Sequence, residues 1–503
     1  MQVNQYFRTY LSRLSKLLSS KALFWLPLPV IFLLAAAGFG QDLVAKVSLE
    51  DPAVPRIHIS GRFSDEISAR GVKNLSFLNN YGSASGLGER ISSVKLSNKE
   101  GRPVAYKRFA ASEYVADSQF QNWEYAVESP RPANIAAAAH ISWVADDLCL
   151  LMLDDILPQA PVNGRAASAR IEFELPAGWN VYSADKSSRD GIFETSDVEK
   201  AVFYLEKSVP RPGGLLVHGQ FNFTSDEALA MAAEIIAGYT KLIGPLPDPD
   251  FRLTLIRTPP DVPPGAWEAD TRGRSVTIIS SDMPFKTQSL QRLHEQLRHE
   301  LFHLWIPNAV SLSGNYDWFY EGFALYMSLR SGVLGGRIRF EDMLDTLSRA
   351  YNIEAAQPAG ISLIQESKQR WNGGNTQVYA RGMLVAFLCD LTLLENSKGK
   401  ISVSDVVREL YAKYRKPSAV RDGEEAVIET LRSHAELGPI VAGYVSGGKK
   451  IAWQQELSAA GIESGASDAI ADLKVMRRPN SRQKKILDRL GYNSWRSAPR
   501  TSK

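Results

Sequence analysis

The sequence contains few cysteines and carries little net charge. Only two cysteines, Cys149 and Cys389, occur among 503 residues, and both lie in apolar runs. This number is too small for a disulfide framework, and an apolar setting favours buried free thiols. The formal net charge is only +3, and the sequence contains no recognised nucleic-acid-binding motif, so a nucleic-acid partner is not indicated. Histidine is also scarce, with seven residues in the chain, so a regular histidine spacing carries weight.

An apolar stretch at residues 22–39 follows a basic segment that contains Arg8, Arg13, Lys16 and Lys21. This order is typical of a secretory signal, and small residues at the end of the stretch offer a cleavage site. Its length, about 18 residues, is at the lower limit for spanning a bilayer, so an uncleaved membrane anchor is the alternative. Both alternatives place the rest of the chain on the exported side of a membrane, in a periplasmic or other extracytoplasmic location.

The remaining chain changes character from strands to helices. Residues 41–222 contain short apolar or alternating runs broken by glycine, proline and asparagine, such as IHISGRF, AAAAHISWVA and GGLLVHGQFNF. This spacing predicts an antiparallel β domain. Residues 223–400 are predicted to form a mainly helical domain, and residues 401–503 a helical C-terminal region with a basic tail. The predicted fold class is therefore multidomain α+β.

The stretch RHELFHLW contains a candidate metal site. Positions four apart share one face of a helix, so His299 and His303 can point ring nitrogens at one atom. Leucines at three- and four-residue intervals predict this helix, and Pro307 ends the run. Glu300 stands where a general base for a metal-bound water is needed. The alternative is an accidental spacing; His294, which has no histidine four positions later, is interpreted as structural.

A third ligand is available from the next predicted helix, DWFYEGFALY. Glu321 lies about one turn into this helix, and two histidines with a glutamate are a familiar zinc set. HExxH followed by EGFALY resembles the gluzincin metallopeptidases, in particular the aminopeptidase N-like and glycyl aminopeptidase families. The resemblance implies a thermolysin-like catalytic domain that binds one Zn²⁺ through His299, His303 and Glu321. One departure is that 17 residues separate His303 from Glu321, one fewer than in the aminopeptidase N pattern.

Two further segments extend the resemblance. PGAWEA is similar to the loop with which those families bind the free amine of the substrate, which implies that Glu268, with Gly265 and Ala266, binds substrate. A carboxylate there would recognise an ammonium group through a charge-assisted hydrogen bond. VYARG is similar to the helix that carries their catalytic tyrosine, which implies that Tyr379 stabilises the oxyanion. The alternatives are that Glu268 is a solvated loop residue and that Tyr379 only packs in a core helix.

These features predict a zinc-dependent aminopeptidase that removes N-terminal residues from peptides, with Glu300 as the general base. Without the anchor at Glu268, the same centre would be an endopeptidase. A hypothesis from another class is a zinc-stabilised pseudoenzyme that binds peptides or envelope partners; intact Glu300 and Tyr379 argue against it. The predicted partners are peptides, and the predicted membrane attachment is confined to residues 22–39.

Overall fold

A computed structural model describes residues 41–162, 166–189, 191–207, 214–372, 374–465 and 471–492. The apolar stretch at residues 22–39, interpreted as a signal or an anchor, lies outside the described residues, and so does the end of the basic tail. The described chain has a strand-rich first half and a mainly helical second half, so the predicted α+β fold class is confirmed.

An eight-stranded sheet is the largest element of the first half. Buried Ile57, Ile59 and Phe63 alternate with exposed neighbours along their strand, which is the period of a strand covered on one face. The sheet is antiparallel except where Leu43–Ser48 pairs in parallel with Ala169–Glu174. In spatial order, its strands are Lys186–Arg189, Ile192–Thr195, Ala169–Glu174, Leu43–Ser48, Arg56–Phe63, Asn122–Glu128, Ile91–Ser97 and Pro103–Val104.

Smaller elements complete the β domain, the name used below for residues 41–207. A four-stranded sheet has the order Trp143–Val144, Leu148–Met152, Val202–Glu206 and Asn180–Ser183. A three-stranded sheet has the order Asn74–Ser76, Glu113–Ala116 and Tyr106–Ala110, and a hairpin joins Asn80–Tyr81 to Ala84–Ser85. The short helices are Asp65–Ser68, Leu87–Arg90, Ile135–Ala138, Leu153–Ile156 and Val198–Lys200.

The run AAAAHISWVA differs from the predicted strand pattern. Its first three residues lie in the helical turn Ile135–Ala138, and only Trp143–Val144 is a strand. The turn is capped by the Asn134 side chain, which accepts a hydrogen bond from the Ala136 amide at 3.0 Å. Alanine also has the highest helix propensity, so this part of the run favours a helix.

A second four-stranded sheet opens the other half of the protein. Its order is Leu215–His218, Arg252–Arg257, Ser275–Ser280 and Trp267–Arg272; the first three strands are parallel and the last is an antiparallel edge strand. The sequence predicted that Leu215–His218 belongs to the β domain, and this prediction is wrong, because the strand pairs in parallel with Arg252–Arg257. A parallel pair needs a crossover, which helix Ser225–Leu242 supplies. The other domain limits stay predictions.

The described second half of the protein contains five long helices. They are α1 (Ser225–Leu242), α2 (Lys286–Phe302), α3 (Asp317–Leu334), α4 (Phe340–Ala356) and α5 (Asn375–Asn396). Helix α5 is apolar and long enough to cross a bilayer, but 83% of its most apolar window is buried inside the protein. Among the residues that the structure describes it is the one helix of this kind, and its burial is typical of a central core helix.

The remaining elements pack around these helices and form the C-terminal part. The helices are Leu363–Lys368, Arg370–Asn372, Val403–Tyr414, Gly423–Arg432, Ala435–Leu437, Gly438–Ile440, Val441–Val445, Gln454–Ala460 and Ser481–Leu490. Leu312–Ser313 pairs with Arg421–Asp422, and Ile462–Ser464 pairs with Leu473–Val475. One continuous hydrophobic core extends from α1 to the last helix, so the C-terminal helices share the core of the candidate site.

Candidate metal centre

His299 and His303 face each other at the end of α2. Their Nε2 atoms are 3.3 Å apart, and both residues are buried. The helix ends at Phe302, so His303 follows it, whereas the sequence predicted a helix that continued to Pro307. The His303 backbone stays right-handed (φ −67°, ψ −13°), and its amide donates to the Glu300 carbonyl at 3.1 Å. This tighter turn keeps both rings on one face although the α-helix has ended.

Glu321 of α3 completes the group. Its Oε2 atom lies 3.3 Å from His299 Nε2 and 3.6 Å from His303 Nε2. Three donors on a tetrahedral zinc ion with ligand distances of about 2.0–2.1 Å are about 3.3–3.4 Å apart, so the observed spacing fits zinc. Glu321 Oε2 is also buried without a normal hydrogen-bond partner, as expected for an atom that binds a cation. The Ile306 carbonyl, 3.0 Å from His303 Nδ1, orients that ring from behind.

The charges around these three side chains also favour a cation. Burial alone would lower the pKa of His303, but the facing carboxylate of Glu321 outweighs it and raises that pKa to about 9. Burial alone would raise the pKa of Glu321, but the positive charge of Arg370 and the two imidazoles hold it well below its usual range. The centre therefore keeps its carboxylate ionised and attracts positive charge, and the three side chains fit Zn²⁺.

Glu300 borders the same space. Its Oε1 atom is 3.9 Å from His299 Nε2, and its Oε2 atom accepts a hydrogen bond of 2.7 Å from Thr271 Oγ1. Burial raises the pKa of Glu300, and the positive charge of the neighbouring histidines opposes that rise. A carboxylate with a raised pKa is a stronger proton acceptor than an exposed one. Thr271, which fixes this carboxylate, was not predicted, because a lone threonine in a strand carries no sequence signal.

Tyr379 enters the site from α5. Its ring centroid lies 6.4 Å from that of His299, and its hydroxyl accepts a hydrogen bond of 2.8 Å from Arg370 Nη2. Burial and the charge of Glu321 raise the pKa of Tyr379 well above its usual value, so the phenol keeps its proton. It can therefore donate a hydrogen bond to an oxygen in the cleft. Arg370 itself was not predicted, because nothing in the local sequence relates it to Glu321.

The segment GAWEA divides into a turn and an edge strand. Gly265 has φ +80°, a conformation that favours glycine, and the Ala266 carbonyl accepts a hydrogen bond of 2.9 Å from the Ser281 amide. Glu268 lies in the edge strand and lines the cleft, but Gly265 and Ala266 are not among the lining residues. The structure therefore brings Glu268 to the cleft and places the other two predicted substrate-binding residues in the supporting turn, where Ala266 is bonded to the sheet.

His140 of the β domain faces this edge strand. Its Nε2 atom is 3.4 Å from Glu268 Oε1, and its Nδ1 atom is 3.3 Å from Asp270 Oδ2. Burial alone would lower the pKa of His140, but the hydrogen bonds that its ring donates to the carboxylates of Asp270 and Glu268 raise it to about 9, so the ring is positively charged at neutral pH. His140 was also not predicted, because its partner Glu268 lies 128 positions away in the sequence.

One cleft of about 870 Å³ is lined by the metal group, Glu300, Tyr379, Glu268 and His140, and its walls come from both halves of the protein. The β domain contributes Tyr81, His140, Asp154 and Lys200, among others, while α2, α3 and α5 contribute the metal group and Tyr379. Arg272 of the edge strand lies over the Tyr81 ring at 3.8 Å, which joins the two walls. The volume lies within the range of ligand pockets that enclose most of a small molecule.

No protein-family model and no curated protein matches the sequence. Solved structures do match. An aminopeptidase N family protein from Idiomarina loihiensis aligns with a TM-score of 0.68 at 15% identity, over 84% of this chain and 79% of that chain. A variant of an M1 zinc metallopeptidase from Deinococcus radiodurans, bound to a Tyr-Ser-Ala substrate, aligns with a TM-score of 0.53 at 13% identity, over 82% and 94%. Yeast LTA4 hydrolase in complex with bestatin aligns with a TM-score of 0.50 at 12% identity, over 82% and 67%.

At these identities the likeness shows a shared fold. The resemblance to the aminopeptidase N-like metallopeptidases, predicted from the motifs, is confirmed at that level.

Proposed function

We propose that this protein is a zinc-dependent aminopeptidase that removes N-terminal residues from peptides. The proposal rests on the side chains that line one cleft. This cleft holds three donor atoms 3.3–3.6 Å apart on His299, His303 and Glu321, with Glu300 beside them and Glu268 on the edge strand. The Tyr-Ser-Ala substrate bound to a protein of similar fold supports a peptide as the substrate.

In this proposal, each side chain of the centre has a separate task. His299, His303 and Glu321 hold the zinc, which supplies Lewis acidity and a water of lowered pKa when it is bound. Glu300, oriented by Thr271, accepts the proton of the attacking water and passes it to the leaving amine. The hydroxyl of Tyr379 donates to the peptide carbonyl oxygen as negative charge develops there.

Glu268 limits this chemistry to the first residue of the substrate. Its carboxylate lies at a wall of the cleft that the β domain closes, and it can bind the α-ammonium group of a free N-terminus. His140 is the present partner of Glu268, at a distance of 3.4 Å, so the substrate amine would share the carboxylate with a second cation. An internal peptide bond offers no ammonium group at this position and gains none of this binding free energy.

The test compares peptides with free and N-acetylated termini. For the free peptides, Glu268→Gln should lower kcat/KM about 10- to 100-fold, the cost of roughly one charge-assisted hydrogen bond, and should leave the zinc content unchanged. Glu295→Gln is the matched control, because Glu295 lines the same cleft but is half-exposed and pairs with Arg292. Equal cleavage of blocked and free peptides by the natural protein would make it an endopeptidase instead.

We further propose that the protein is exported and that residues 22–39 either direct its export or anchor it to the membrane. The basic segment before this apolar stretch supports the proposal, because positive charge is retained on the cytoplasmic side. A protease-accessibility assay on the C-terminally tagged protein tests it. The tagged protein should resist added protease in intact cells and become sensitive once the compartment outside the cytoplasmic membrane is made accessible. Protease resistance that persists after this treatment would contradict export.

A further inference from the structure

Arg370 is a buried arginine that contacts two parts of the site at once. It lies in the short helical turn Arg370–Asn372, immediately before α5, and its relative exposure is 6%. Its Nη2 atom lies 3.0 Å from Glu321 Oε1 and donates to the Tyr379 hydroxyl at 2.8 Å. Its Nη1 atom donates to Asp317 Oδ2 at 3.1 Å. The guanidinium group therefore links a candidate zinc ligand on α3 to the phenol on α5.

We propose that Arg370 is a positioning residue that makes Glu321 a one-oxygen zinc ligand and holds the Tyr379 hydroxyl at the same centre. This inference rests on the proposed zinc peptidase function. Because Oε1 of Glu321 is bound to Arg370, only Oε2 remains for the metal, and this is the oxygen that faces both histidines. A carboxylate fixed in this way loses little conformational freedom when zinc binds.

The geometry requires an arginine and not merely a positive charge. The planar guanidinium group reaches Glu321 and Asp317 with different nitrogen atoms, which a single ammonium group on a flexible chain does not reproduce. The central carbon of the group also lies 4.3 Å from the centre of the Trp371 ring and 5.3 Å from that of Tyr379, so both aromatic rings contact it. Arg370 Nε donates to Asn375 Oδ1 at 3.1 Å, so the third nitrogen of the guanidinium group is also fixed.

Arg370 also prepares the Tyr379 hydroxyl for donation. A phenolic oxygen both accepts and donates hydrogen bonds. Because Arg370 donates to this oxygen, the hydroxyl proton is left for an acceptor on another side, and Glu321, a member of the metal group, is such an acceptor. Arg370 therefore acts through Tyr379 and Glu321, and its loss should affect zinc affinity and catalysis in separable ways.

The first experiment measures zinc affinity by competition with a chromophoric chelator, so it needs no peptidase activity. Arg370→Lys should weaken zinc binding about 10- to 100-fold, the usual effect of losing a group that orients a metal ligand. The matched control is Arg330→Lys: Arg330 is also buried, lies on α3 and pairs with Asp390 at 3.0 Å, away from the metal group. This control should change zinc affinity less than twofold.

Asp317→Asn provides a second variant that leaves Arg370 in place but removes its other carboxylate partner, and it should weaken zinc binding in the same direction. Should Arg370→Lys fail to fold, this variant decides the question alone. Unchanged zinc affinity in the folded variants would overturn the proposal while leaving the zinc function intact. Failure of the natural protein to bind zinc at all would instead refute the proposed function.

The second experiment measures kcat at saturating zinc, so that the effect of Arg370 through Tyr379 is separated from its effect on zinc binding. Arg370→Lys should reduce kcat about 10-fold or more in the natural background, because the phenol is no longer fixed, but less than threefold in a Tyr379→Phe background, where no hydroxyl remains to position. A general structural loss would reduce kcat equally in both backgrounds. An equal reduction would therefore overturn the role assigned through Tyr379.

Discussion

The crossing of α3 and α5 provides a sharp test of how the fold positions the site. The two helices meet at Gly322 and Gly382, one residue after Glu321 and three residues after Tyr379. A Cβ atom added to Gly322 would lie 2.4 Å from the Cα atom of Gly382, and one added to Gly382 would lie 2.6 Å from the Trp318 carbonyl oxygen. Both obstacles are backbone atoms, so no side-chain rotation can relieve them.

The cost of Gly382→Ala follows from these distances. An ordinary contact begins at 3.4 Å, so the helices must separate by about 1 Å near the crossing. Such overpacking costs about 1–3 kcal/mol of folding free energy, and the higher helix propensity of alanine returns about 1 kcal/mol. The effect on activity should be larger than the effect on stability. A displacement of about 1 Å between Tyr379 and Glu321 is enough to lower kcat roughly 100-fold.

The assay compares kcat on a free-amine peptide with the free energy of unfolding in denaturant. Gly238→Ala in α1 is the matched control, because its added Cβ would lie at an ordinary distance of 3.7 Å from Ser331 Oγ. This control should be as stable as the natural protein or more stable by up to about 1 kcal/mol, with unchanged kcat. Gly382→Ala with kcat within threefold of the natural value would refute the argument that the close helix crossing sets the position of Tyr379.

Three further predictions concern the centre itself and the wall that faces it. Glu300→Gln should bind zinc with natural affinity but lose at least about 1,000-fold in kcat, roughly the contribution of a general base. Zinc analysis and steady-state kinetics check the two expectations. A kcat within about tenfold of the natural value would remove Glu300 from the mechanism. His303→Ala should lose most of the zinc on dialysis, because two remaining ligands bind it weakly, whereas retained stoichiometric zinc would contradict the ligand assignment. The folded-state pKa of His140, about 9, is above the ordinary histidine pKa of 6.5, so the stabilisation is fully present below the lower value and is lost as the pH rises through the higher one. The natural protein should therefore be more stable relative to His140→Gln at about pH 6 than at about pH 10, by up to roughly 3 kcal/mol in urea unfolding, and parallel profiles of the two proteins would contradict the charged pairing.

Local sequence patterns were sufficient for the fold class and for the residues that meet at the centre. The four-residue interval between His299 and His303 is a local property of the helix, and it survives although α2 ends at Phe302. The position of Glu321 follows from the start of the next helix at Asp317. These signals are short in range, so one sequence reveals them without a structure.

Contacts between distant parts of the chain could not be predicted in this way. His140 reaches Glu268 across 128 positions, and Arg370 reaches Glu321 only because a turn before α5 folds against α3. The parallel pairing of Leu215–His218 was missed for the same reason, since the strand has the same apolar pattern in either sheet. Periodicity determines which face of an element is buried, but not which neighbour covers it.

The contact between His140 and Glu268 has a consequence for specificity. The metal group and Glu300 come from α2, the residue that follows it and α3, whereas the partner of the proposed amine anchor comes from the β domain. A centre open at that wall would accept a substrate peptide on both sides of the scissile bond and would cleave internal peptide bonds. In the proposed aminopeptidase, exopeptidase character therefore depends on the β domain closing the cleft at the edge strand. It follows that substitutions such as His140→Gln should alter the preference for free over blocked peptides while leaving zinc affinity unchanged, because the metal ligands lie on other elements.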